Sequence, residues 1–149
     1  MQTDIIGVVV GILGILAGIV VSSYFYKKSL RLKLPTWGIQ SNNLIRNQTS
    51  TVPDLKVLFK DENVSNLTIS RVVFWNNGTE TILRKDLDTI NQLQMSASNN
   101  VKLLETKVVM VNNKSNRFSV RETTEKKCSY IDFDYLDHLQ GAVIQVIHT

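Results

Sequence analysis

A chain of 149 residues, 43% hydrophobic and 20% charged with a net charge of +4, has room for one modest domain plus an anchor. The charge is uneven: residues 27 to 53 hold five basic side chains and no acidic one, whereas residues 54 to 149 hold 12 Lys+Arg against 12 Asp+Glu. The basic excess therefore belongs to one short segment, so no DNA binding is expected, and the single cysteine, Cys128, excludes an intrachain disulfide and fits a reducing compartment.

The first predicted element is a membrane helix. From Ile5 to Tyr26 the chain carries no charge, and 22 residues at about 1.5 Å each give roughly 33 Å, the thickness of a bilayer core. A cleaved signal peptide needs a positive start, a shorter apolar core and a small-residue cleavage site. Here the only charged side chain in the opening MQTDII is Asp4, and bulky Tyr24, Phe25 and Tyr26 follow the run. Gly7, Gly11, Gly14 and Gly18 recur at spacings of four, three and four, which sets all four on one helix face. Small residues so placed let two helices approach closely in lipid, so the span is expected to self-associate.

Residues 1–26 are thus read as the anchor, 27–36 as a basic juxtamembrane linker and 37–149 as the soluble domain. Lys27, Lys28, Arg31 and Lys33 follow the span. Such cations are retained on the cytoplasmic side, which predicts an inner-membrane, single-pass protein with its N-terminus out and its domain in the cytosol. The same cations suit anionic lipid headgroups. Asn47, Asn63, Asn66, Asn77 and Asn113 each begin an Asn-x-Ser/Thr triplet, the mark of a glycosylated extracellular domain. In a chain this rich in Asn, Ser and Thr such triplets arise by chance, and the charge asymmetry outweighs them.

Beyond Pro35 the pattern turns to strands. Leu55, Val57 and Phe59 alternate with Lys56 and Lys60, and Leu67 and Ile69 with Thr68 and Ser70. The apolar run Val72 to Trp75 ends in Asn76-Asn77-Gly78, a turn signal. Extended runs follow at 81–83, 107–111, 118–120, 131–135 and 142–147, with at most one helical turn between Asp86 and Gln92. Short strands at intervals of about ten residues predict a mainly β domain, an antiparallel β-sandwich or small barrel. Trp75, Phe74, Leu67, Ile69, Val109, Phe133 and Val143 are expected in its core.

Little of the sequence reads as catalysis. Cys128 has no base near it in sequence, His138 and His148 lie in the last dozen residues, and no enzymatic activity is expected. IDFDYLD places Asp132 and Asp134 on one face of a strand with Asp137 just beyond, but alternation with Ile131, Phe133 and Tyr135 is what a half-buried strand shows anyway. No calcium loop, phosphate-binding glycine loop or zinc spacing occurs, so no metal or cofactor is expected. Arg71 interrupts two apolar runs, and such an arginine is expected to be buried, or between subunits, with an acidic partner. Basic residues gather at 102–127. Arg71, Lys107, Lys114, Arg117 and Arg121 are the candidate ligand-binding residues, suited to a phosphorylated molecule.

The strings LTISRVVFWNNGTETI and YIDFDYLDHLQGAVIQVIHT resemble segments of a group of small bacterial membrane proteins, in which one N-terminal span precedes a β-sandwich-like domain. The resemblance covers about residues 27 to 149 and implies no catalytic residues. The architecture is also similar to that of membrane effectors in CBASS and type III CRISPR defence, which join a membrane segment to a cytosolic domain sensing a cyclic oligonucleotide. That similarity implies a non-enzymatic, homo-oligomeric effector answering such a signal. The alternatives are a passive anchored module that docks a partner protein and, third, an extracellular adhesion-like domain.

Overall fold

The computed structural model describes residues 2–46, 56–98, 100–125 and 127–149. It divides into two compact units, Met1–Leu32 and Lys33–Thr149. The first is one helix, α1, Gln2–Ser29. Its stretch Gly7–Ser29 is long and apolar enough to cross a membrane, and none of it is buried within the protein. A helix apolar on every side suits lipid as its solvent. α1 passes the expected end of the anchor by three residues, and Lys27 and Lys28 occupy its last turn, where the helix dipole favours cations. A Cβ added at Gly7, Gly11, Gly14 or Gly18 would meet nothing within 4 Å, so packing within this chain gives no reason for glycine there.

Among the described residues the second unit holds eleven strands: β1 Pro35–Ile45, β2 Leu58–Phe59, β3 Glu62–Asn63, β4 Leu67–Asn76, β5 Ile82–Leu83, β6 Gln94–Ser96, β7 Leu103–Val111, β8 Ser119–Glu122, β9 Cys128–Asp132, β10 Tyr135–Leu136 and β11 Gly141–His148. A four-stranded sheet in the order β1-β4-β11-β7 faces a three-stranded sheet, β6-β9-β8, with small pairs β10-β5 and β2-β3 beside them. The pairings are antiparallel. This is the mainly β, sandwich-like fold expected. β1 takes in Pro35 and Thr36, and Pro is tolerated at the first residue of an edge strand. Leu55, Lys126 and Asn47 fall outside the described residues.

Alternation decides the core. On β4, Ser70, Val72, Phe74 and Asn76 point inward, and on β11 so do Ala142, Ile144 and Val146. The centre is a trio of rings, Phe74, Phe118 and Phe133, with centroids 5.9 to 6.3 Å apart. Phe133 and Leu136 are 1% and 0% exposed. A smaller cluster of Val64, Leu104 and Ile147, with Leu67 and Ile69 against it, forms where the β2-β3 hairpin covers one end of the outer face of the four-stranded sheet. Trp75 and Val143 belong to that outer face and are only half-buried. They share parity with Arg71, not with Phe74. Val109 is 51% exposed because it is the extra residue of a bulge, with Met110 opposite Val143 and Val108 opposite Ile144.

Two turns differ from expectation. Asn77-Gly78 makes no positive-φ hairpin, since no glycine here has positive φ. Instead the buried Asn76 side chain organises the bend, its Oδ1 accepting the Gly78 amide at 2.9 Å. The tight two-residue hairpin lies at Lys60-Asp61, with φ of 46° and 69°, joining Phe59 to its partner Glu62. The strand expected over 131–135 also breaks: β9 ends at Asp132, and Phe133 turns into the core before β10 begins.

Candidate functional site

The five candidate cations do not form one site. Arg71 is exposed, not buried, and forms no ion pair with a described residue. Cross-strand register sets it in a row: Gln40 on β1, Arg71 on β4, Gln145 on β11 and Lys107 on β7 stand directly opposite one another. Residues in register share a face, so both cations and both amides project from the outer side of the four-stranded sheet. One strand separates Arg71 from Lys107, which puts their Cα atoms roughly 10 Å apart. Lys107 likewise has no ion pair with a described residue.

The other three lie elsewhere. Arg121, on β8, sits over the Tyr130 ring at 5.6 Å, on the outer face of the other sheet. Arg117 adopts a left-handed conformation after the 3-10 turn Lys114–Asn116, and its Nη1 lies 3.4 Å from Asp134 Oδ2. Lys114 sits within that turn. Lys33, one of the four cations used for orientation, is held by the β unit: its Nζ donates to Asp86 Oδ2 at 2.8 Å and lies 3.7 Å from Glu80. The Asp86 hydrogen bond raises the Lys33 ammonium above the usual lysine range, and the same bond holds the Asp86 carboxyl below the usual carboxylate range.

The aspartates of IDFDYLD diverge too, because the strand breaks between them. Asp132 takes Arg84 at 2.6 Å, Asp134 faces Arg117, and Asp137 accepts from Thr81 Oγ1 at 2.6 Å.

A feature the sequence did not reveal is a groove between the sheets. On one side the sandwich is tied shut: Ser129 Oγ, on β9, donates to Thr106 Oγ1, on β7, at 2.9 Å, and the Thr106 amide donates to Glu122 Oε1, on β8. On the other, β1 and β6 are the outermost strands of their sheets and do not pair with each other. A cavity of about 570 Å³ opens there, walled by Trp37, Ile39, Val72, Phe74, Met95 and Ile131. Trp37 and Ile39 remain 67% and 58% exposed because nothing described covers the inner face of β1. No acidic residue, lysine or arginine lines the cavity among the described residues.

One end of this groove is polar. Ser70 Oγ lies 2.7 Å from Ser41 Oγ and 2.9 Å from His148 Nε2, and His148 Nδ1 lies 3.3 Å from the Thr149 carbonyl. With Nδ1–H donating to that carbonyl, Nε2 accepts from Ser70, and Ser70 accepts from Ser41. A serine beside a histidine invites comparison with a hydrolase, which also needs free amides to hold an oxyanion. Ser70 sits mid-strand in β4, whose backbone pairs with β1 on one side and β11 on the other. The pair closes this end of the groove with hydrogen-bonded side chains. The available signal was parity, because Ser70 shares the inward phase of Val72 and Phe74, and a buried hydroxyl needs a partner.

No protein-family model, no curated protein and no solved structure matches this chain.

Proposed function

We propose that this chain is a non-enzymatic sensor or effector of the inner membrane, with its N-terminus outside, its β unit in the cytosol and several copies acting together in bacterial antiviral defence. The β unit binds a phosphorylated signal of the cyclic-oligonucleotide type, and the membrane helix carries the output. The observation that supports ligand binding is the row Gln40–Arg71–Gln145–Lys107. Two cations without described acidic partners, interleaved with amide donors, suit phosphate oxygens better than a carboxylate-paired array would. The cations after α1 support the orientation.

Self-association is supported by the glycine face, on which Gly7, Gly11, Gly14 and Gly18 recur at spacings of four, three and four. Gly11→Ile combined with Gly14→Ile is expected to weaken crosslinking between copies in membranes. Unchanged crosslinking would remove helix packing from the account.

A second reading, a passive module that docks a partner protein, draws on the exposed Val73, Met110 and Leu139 near the same row. Titrating the full-length protein in nanodiscs with cyclic di- to hexanucleotides separates the two. One member of the series is expected to bind, and Arg71→Glu with Lys107→Glu is expected to weaken it about tenfold or more, or at least ~1.4 kcal/mol. Binding by none of them favours the docking module.

A further inference from the structure

We propose that the groove between β1 and β6 is a second binding site, for an uncharged amphiphile: a hydrocarbon chain bearing a hydroxyl head, such as a monoacylglycerol. It lies on the inner face of the four-stranded sheet, behind the Arg71–Lys107 row, so it stands apart from the phosphate-binding reading. Its size, about 570 Å³, is that of small-molecule sites, which are concave and mostly apolar with a few placed polar groups.

Three observations select the ligand class. The apolar walls, from Trp37 and Ile39 to Phe74 and Met95, suit a hydrocarbon chain. The lining carries no carboxylate, lysine or arginine among the described residues, which disfavours an anionic head, since a charge taken out of water needs a partner. At the polar end, Ser70 Oγ lies within hydrogen-bond distance of His148 Nε2 and Ser41 Oγ, and since a hydroxyl offers one donor and two acceptor sites, one of them remains for a ligand hydroxyl. A peptide strand would extend the free edge of β1 through backbone hydrogen bonds, leaving the space beneath it unfilled. A chain with a membrane helix also lives among amphiphiles, so the ligand class is at hand.

The test uses the full-length protein in nanodiscs containing a diazirine-bearing monoacylglycerol, with crosslinked peptides mapped by mass spectrometry. The expected label falls on the β unit at Trp37 or Met95 and is competed by unlabelled monoolein. Ile39→Glu, at a position exposed enough for the fold to survive, is expected to cut that label about fivefold, because it buries an unpaired carboxylate against the chain. Ile39→Val and Arg71→Glu are expected to leave it unchanged, and an unaltered Tm checks folding. Label confined to residues 2–29 overturns the proposal, as does label at Trp37 or Met95 that Ile39→Glu does not reduce. A Trp37 contact between copies in place of lipid label overturns it as well, by making the groove an interface.

Discussion

Gly141→Ala is expected to cost about 3 kcal/mol or more of stability, the upper end of what overpacking does to a folded core. A Cβ at Gly141 would stand 2.0 Å from the Phe74 carbonyl oxygen, 2.6 Å from Trp75 Cα and 2.7 Å from Trp75 Cβ. Two of those three atoms are backbone, so no rotamer change relieves the clash. They belong to β4, which is pinned between β1 and β11. Relief requires either moving a central strand or breaking the Gly141–Trp75 pairing at the start of β11. Gly38→Ala is the matched control. Its Cβ would meet nothing nearer than Trp75 Cζ3 at 4.0 Å, so its effect should stay within about 0.5 kcal/mol. Urea unfolding of the two variants checks the difference, and equal midpoints would contradict it.

Asn76→Leu should be at least as damaging, at about 4 kcal/mol, from several backbone groups left unpaired at about 1–3 kcal/mol each. Asn76 is 0% exposed. Its Nδ2 donates to the carbonyls of Glu80 at 2.8 Å and Leu136 at 2.9 Å. Its Oδ1 accepts from the amides of Gly78 at 2.9 Å and Leu34 at 3.4 Å. One side chain therefore ties together the entry into β1, the turn after β4 and the end of β10. Leucine keeps the number of side-chain heavy atoms but is bulkier and removes all four bonds, so overpacking adds to the lost hydrogen bonding. Hydrogen exchange at Gly78 should accelerate along with the lowered urea midpoint. A loss under 1 kcal/mol would mean that water or a shifted backbone satisfies these groups.

These two residues also show what the sequence could reveal. LTISRVVFWNNGTETI and YIDFDYLDHLQGAVIQVIHT contain the paired middle strands β4 and β11, with Asn76 and Gly141 at one end of the pair. The strands were legible because apolar β-branched residues recur there with few interruptions. Which residues face inward was less legible. Val72 to Trp75 is apolar at every position, so alternation gives no phase, and Trp75 reads as a core residue although it lies on the outer face. The hairpin at Lys60-Asp61 was hidden because neither residue is glycine, while Asn77-Gly78 displayed a signal that Asn76 uses differently.

The candidate site was legible only in part. That Arg71 and Lys107 meet across β11 depends on register between strands far apart in sequence, which composition and spacing do not encode. The bulge at Val109 shifts that register by one residue. The groove depends on an absence of pairing, because β1 and β6 end their sheets side by side without hydrogen bonds between them. His148 meets Ser70 diagonally across neighbouring strands, a contact that a linear reading does not reach.

A domain that answers a cytosolic phosphorylated signal must face the cytosol, and the basic residues after α1 are what argue for that side. Protease added to intact cells, followed by detection of the β unit before and after the membrane is permeabilised, tests this most directly. The β unit should survive outside protease and be digested only once the inner membrane is opened. Digestion from outside in intact cells would contradict both the sensor and the docking module, and would return the chain to the extracellular reading that its Asn-x-Ser/Thr triplets suggest.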